Sequence, residues 1–123
     1  MARRSRATTT RRRCRVAQHE LANDAIARAK LFQQLHAGPR ILVIANAWDA
    51  ASARVFEDAG LKAVGTGSAG IAFCHGYPDG EFIPRDVMLA AIGEIVATVD
   101  VPVTADIVTG FGDTIEAVVD TVR

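Results

Sequence analysis

No stretch of this 123-residue chain approaches the roughly 18 to 20 uninterrupted apolar residues a helix needs to cross a bilayer, because charged or polar groups break every candidate run. A membrane-spanning role is not expected. Cysteine is scarce: Cys14 and Cys74 are too few and too differently placed for a disulfide framework or a zinc site, which points to a reducing, cytoplasmic setting. Charged residues make up only 23% of the chain against 50% hydrophobic ones, which argues against general disorder and predicts one soluble globular domain.

Acids are missing from the first fifteen residues, which hold seven arginines: Arg3, Arg4, Arg6, Arg11, Arg12, Arg13 and Arg15. No apolar segment follows them, so a secretory signal is not expected. The segment reads as a disordered extension over residues 1–18, because its low hydrophobicity cannot offset the entropy of ordering. A transit-like segment and a nucleic-acid-binding arm are the alternatives. Against the latter stand the absence of interleaved aromatics and the acidic remainder: residues 16–123 carry seven basic and fourteen acidic groups.

From Glu20 to His36, Leu21, Ala25, Ile26, Ala29, Phe32 and Leu35 recur at three- and four-residue steps, the spacing of one helix face, and Gly38-Pro39 ends the pattern. Ile41 to Ala45 is an apolar run without polar alternation, as expected of a strand covered on both faces. A helix over Asp49 to Ala59 is closed by Gly60 at the left-handed C′ position, and Leu61 to Gly65 resumes as a strand. After a glycine-rich loop, Pro84 opens a helical pattern through Met88, Leu89, Ile92, Ile95 and Val96. Val101 to Ala105 forms the next strand, and Asp113, with Glu116 three positions on, caps a final helix.

The order is one helix followed by three strand–helix units. Such alternation implies a parallel sheet with right-handed crossovers, either an open doubly wound sheet or the first part of a (β/α)8 barrel. In both, a ligand site is built at the C-terminal ends of the strands. Those ends carry Asn46 and Asp49, Thr66 and Ser68, and Asp106 with Thr109.

Asp106 is a candidate ligand for magnesium, a hard cation that prefers carboxylate oxygen and keeps several waters; the alternative is a turn-capping acid. Gly65-Thr66-Gly67-Ser68-Ala69-Gly70 can hold a carboxylate or phosphoryl group on amides and hydroxyls, or can serve close packing alone. It is not a P-loop, since no Gly-Lys-Ser/Thr follows. Asp79, in Tyr77-Pro78-Asp79-Gly80, is a turn residue by its neighbours and lies in a loop able to cover a site. Cys74 beside His75 is not a nucleophile–base pair by adjacency alone, and His19 and His36 read as helix residues.

Taken together, Asn46-Ala47-Trp48-Asp49-Ala50-Ala51-Ser52-Ala53-Arg54, Ala59-Gly60, Gly67-Ser68-Ala69-Gly70, Gly76-Tyr77-Pro78-Asp79-Gly80 and Asp106-x-x-Thr109-Gly110-Phe111-Gly112 resemble the isocitrate lyase/phosphoenolpyruvate mutase superfamily, from about Phe32 to Arg123. The resemblance implies the N-terminal portion, about three βα units, of a (β/α)8 TIM-type barrel over residues 19–123. It also implies Mg²⁺-dependent cleavage or rearrangement of C–C or P–C bonds in small 2-oxo or dicarboxylic acids. By the same resemblance Asp106 is the metal-linked acid, Gly67, Ser68 and Ala69 hold the substrate carboxylate, and Asp79 is the acid near metal and substrate.

The chain departs from that pattern at three positions. Val108 stands where relatives usually carry a second acid, Phe111 replaces a tyrosine and drops its hydroxyl, and Gly67 often corresponds to serine. A complete barrel needs about 200 to 250 residues. Three strands leave two open edges, so a homo-oligomer or a complementing C-terminal half is expected. A catalytically inactive remnant is the reading of another class.

Overall fold

The computed structural model describes residues 24–123. The arginine-rich leader, Cys14, His19 and the start of the Glu20–His36 pattern lie outside the described residues. Residues 24–37 are helical (α1), with Arg28 reaching Asp24 at 3.0 Å and the His36 ring edge-on to Phe32, centroids 4.5 Å apart. This helix belongs to a unit ending at Gly38, and Pro39–Arg123 form a second unit.

In the second unit the order is β1 (Ala45–Ala47), α2 (Ala50–Asp58), β2 (Val64–Thr66), α3 (Ser68–Cys74), α4 (Arg85–Thr98), β3 (Val103–Thr104) and α5 (Ile115–Thr121). The strands form one parallel sheet in the order β1-β2-β3, with Ala45, Asn46 and Ala47 opposite Val64, Gly65 and Thr66, and Val64 and Gly65 opposite Val103 and Thr104. Parallel pairing of consecutive strands requires a helical crossover each time, and this aligns all three C-terminal ends on one side.

The first strand departs from expectation. Pairing begins only at Ala45, and Ile41 and Val43 are 92% and 67% exposed rather than covered on both faces. The physical reason is register: β2 begins at Val64, opposite Ala45, and β1 has a neighbour on one side only, so residues 41–44 lie outside the ladder. The third strand is likewise short, although the carbonyl of Pro102 just before it accepts from the amide of Val64 at 3.0 Å.

The core is built from the middle strand and the helices over it. Val64, Ile71, Ile83, Met88, Ile95 and Val99 are essentially inaccessible. Met88, Ile92 and Ile95 recur at steps of four and three along α4, which turns one apolar face inward, and Val99 just past its end joins them in the core. Below the sheet, away from the strand C-termini, Glu57 of α2 pairs with Arg54 at 2.6 Å and accepts the amides of Asp100 and Val101 at 2.7 and 3.1 Å. Arg54 also donates to the carbonyl of Thr98, so α2 is fastened to the turn that leads into β3.

Helix ends follow local chemistry. Asp49 caps α2, its carboxylate accepting the Ser52 amide at 2.7 Å while the Ser52 hydroxyl accepts the Asp49 amide at 3.2 Å. Beyond α2, Gly60 takes φ +92°, the left-handed C′ geometry expected of it. The cap of α5 is Thr114, whose hydroxyl accepts from the amide of Ala117 at 3.2 Å, not Asp113. Both residue types are competent caps, and placing Thr114 first in extended geometry makes Ala117 the N3 donor. Among the described residues no helix is long and apolar enough to cross a membrane.

Candidate functional site

The strand C-termini converge on Asp106. Two residues beyond β3, its backbone amide donates to the hydroxyl of Thr66 at the end of β2, 2.9 Å away. Its carboxylate is held from two sides. Oδ2 accepts the Ser68 hydroxyl at 2.7 Å and the Ser68 amide at 3.3 Å, and Oδ1 accepts the Val108 amide at 3.0 Å. Thr66 and Ser68 are both buried, so two polar side chains at the foot of the site are satisfied through this single acid.

Partial burial by itself raises the proton affinity of Asp106, but donation from the Ser68 hydroxyl and from the Val108 and Ser68 amides outweighs it and holds the carboxyl below its ordinary value. Asp106 is therefore an ionised, fixed carboxylate at neutral pH.

Ser68 reaches Asp106 because the segment after β2 is not the loop expected from its glycines. Residues Ser68–Cys74 form α3, with Gly67 as N-cap, and the amide of Gly67 donates to the carbonyl of Ala47 at 2.9 Å. The helix starts where the strand ends, and the side chain of its first residue points across to β3. Ala69 and Gly67 are partly buried beside it.

Asp79 is exposed in the segment between α3 and α4 and has no hydrogen-bond partner among the described residues. The structure thus joins Thr66, Ser68 and Asp106 by hydrogen bonds, and Asp79 makes none with them. Asp49 is engaged as a helix cap, and the Ser52 amide first among its partners lowers its carboxyl. Cys74 is a free, exposed thiol, while the His75 ring is held on the carbonyl of Ile71 at 2.9 Å. Neither pairs with the other.

One contributor was not legible in the sequence. Glu81 directs a single oxygen, Oε1, at the loop after Asp106, where it accepts the Thr109 amide at 3.1 Å, the Thr109 hydroxyl and the Phe111 amide at 2.8 Å. The Thr109 hydroxyl, then the Phe111 amide, lower its carboxyl below the ordinary value. The only signal was an acid in an otherwise turn-forming stretch, because its donors lie 28 and 30 residues away.

That loop is bent sharply. Val108 and Phe111 adopt φ of 57° and 58°, and Gly110 adopts 98°. Left-handed geometry costs a β-branched residue about 1–2 kcal/mol. At Gly110 a side chain has no room, since an added Cβ would meet Val118 at 2.8 Å. The Gly110 carbonyl accepts the buried Thr121 hydroxyl at 2.7 Å, so α5 secures the loop from the far side. An open cavity of about 400 Å³ beside it is lined by Glu81, Phe82, Arg85, Phe111 and Asp113, and does not include Asp106 or Ser68.

Does this arrangement suit a magnesium ion? One ionised carboxylate at a strand end fits a cation that keeps several waters and takes its remaining oxygens from a bound substrate. Among the described residues no group of three acids, histidines or cysteines converges, so the fit is that of a single anchoring acid.

A family model described as "Phosphoenolpyruvate phosphomutase" matches residues 32–123. A candidate lyase/mutase from Burkholderia cenocepacia J2315 is similar in structure, with a TM-score of 0.77 and 43% identity over 81% of this chain and 36% of that one. A phosphonopyruvate hydrolase crystallised with oxalate and Mg²⁺ has a TM-score of 0.58 at 28% identity, over 73% of this chain and 30% of its own. The 2-methylisocitrate lyase of Bacillus subtilis is 31% identical over 86 residues, 70% of this chain and 29% of that protein. The chain thus spans about a third of the length of the proteins it matches, and its parallel sheet and helices resemble the N-terminal part of their barrels. By the match over residues 32–123 and the likeness of its fold, the chain belongs to the isocitrate lyase/phosphoenolpyruvate mutase superfamily.

Proposed function

We propose that this chain is the N-terminal part of a magnesium-dependent lyase or mutase acting on a C–C or P–C bond of a small 2-oxo or dicarboxylic acid. The observation that carries the reading is the Ser68–Asp106 pair, an ionised carboxylate fixed at the C-terminal end of a parallel strand, where folds of this type build their sites.

Each residue has a distinct task. Asp106 supplies the anchoring charge; Ser68 and the Val108 amide keep it ionised, and Thr66 holds its backbone. Gly67, Ser68 and Ala69, at the start of α3, would hold the substrate carboxylate, with the Gly67 amide already given to the Ala47 carbonyl and the Ser68 amide shared with Asp106. Asp79, exposed in the following segment, would order water or substrate. A bound Mg²⁺ would supply stabilisation of negative charge developing on a substrate oxygen. A complementing C-terminal half or self-association would cover Ile41 and Val43, and the reading implies a cytoplasmic setting.

A second reading is favoured by one observation: among the described residues no group of three acids, histidines or cysteines forms, as expected of a remnant that kept its packing and lost its chemistry. Calorimetric titration of the chain with MgCl₂ and then oxalate separates the two. Magnesium-dependent oxalate binding that disappears in Asp106→Asn supports the enzyme part; a wild-type chain that takes up neither Mg²⁺ nor oxalate is the remnant.

A further inference from the structure

We infer that Glu81 is a positioning residue for Asp106, holding the left-handed turn over residues 108–111 in the one shape that aims the acid at the site. The inference rests on the magnesium reading only for its consequence in metal binding.

The connection runs through consecutive atoms. Oε1 of Glu81 gathers both donors of Thr109 and the amide of Phe111. Val108, immediately before Thr109, has φ 57°, and its amide donates to Oδ1 of Asp106. A β-branched residue leaves left-handed geometry whenever the surrounding structure permits, because it gains free energy by doing so. In this turn the restraints are Glu81 on one side, Thr121 on the other and the turn's own bond from the Gly110 amide to the Ile107 carbonyl at 2.9 Å. Without Glu81 the turn can relax, the Val108 amide swings off Oδ1, and the carboxylate is left held by Ser68 alone.

A carboxylate that merely braced a surface loop would affect residues 109–111 and nothing else. Positioning predicts an effect at a distance, on the Ser68 and Val108 amides that grip Asp106. Glu81 sits on the segment between α3 and α4, whereas Asp106 follows β3, and the hydrogen-bonded route from Glu81 to the Asp106 carboxylate runs through the turn.

The test is amide hydrogen exchange by NMR on the ¹⁵N-labelled full chain, comparing wild type, Glu81→Ala and Glu81→Gln, with MgCl₂ titrated into the same samples. In Glu81→Ala the Thr109 and Phe111 amides should lose protection roughly tenfold or more, as for lost hydrogen bonds to a charged acceptor. The Val108 and Ser68 amides should follow, while Ile95 and Ala53 in the core stay as in wild type. Glu81→Gln keeps an acceptor oxygen at the same reach and should lie between the two; it also carries the test should the alanine variant unfold. Wild-type exchange at Val108 and Ser68 in either variant, with residues 109 and 111 released, overturns the inference. If those amides respond but even the wild-type chain takes up no Mg²⁺, the positioning role stands and the magnesium reading fails.

Discussion

The hydroxyl of Ser68 donates to Oδ2 of Asp106 across 2.7 Å, joining the first residue of α3 to the acid beyond β3. Since that hydroxyl leads the groups opposing the effect of burial on Asp106, its removal leaves burial less compensated. Ser68→Ala should therefore raise the Asp106 carboxyl pKa, read by ¹³C titration, and cost about 1 kcal/mol in urea unfolding. An unchanged titration would mean that the two amides alone keep the acid ionised.

Val108→Asn should stabilise the chain by up to about 1 kcal/mol, because asparagine tolerates left-handed geometry that strains a β-branched side chain. Thermal unfolding measures it. Val108→Asp adds to the same relief a second acid two residues from Asp106. If Asp106 anchors Mg²⁺, this variant should tighten magnesium binding by about 10- to 100-fold, the scale of a supporting partner in a metal site.

Gly110→Ala should act in the opposite direction. Its φ of 98° disfavours any side chain, and the new Cβ would press on Val118 at 2.8 Å, so a loss above about 1 kcal/mol is expected in chemical denaturation. A companion Val118→Ala substitution should remove the crowding but leave the cost of the backbone geometry.

The pH dependence has a defined sign. Asp49, Glu81 and Asp106 all have carboxyls depressed by hydrogen bonds made only in the fold. Depressed groups contribute stability that is fully present above the unfolded value, near pH 4 for carboxyls, and is lost as pH falls through the folded values. Circular dichroism in urea should show stability level near neutrality and falling below about pH 4. Replacing Asp49 by Asn, which still caps a helix but does not titrate there, should flatten part of that fall.

Much of the fold was legible because periodicity and end signals act locally. The α4 face through Met88, Ile92 and Ile95, the closure of α2 by Gly60 and the helix ending at Gly38 follow from neighbours a few residues apart. Asp106 was legible too, as an acid at a strand end. The short reach of β1 was not, since pairing depends on what lies beside a strand. Glycines at 65, 67 and 70 hid α3, because weak intrinsic propensity was overridden by the packing of Ile71 and Ala72 into the core. Glu81 stayed hidden for a different reason: a carboxylate that serves backbone donors about thirty residues on leaves no spacing to read.

The fastening of α2 through Arg54 and Glu57 lies at the opposite end of the strands from Ser68 and Asp106. Architecture and chemistry thereby sit at opposite ends of the same sheet, and a substitution at one end need not loosen the other. Val108 and Phe111, the strained residues of the turn, belong to the chemical end, so a change at either leaves that fastening untouched.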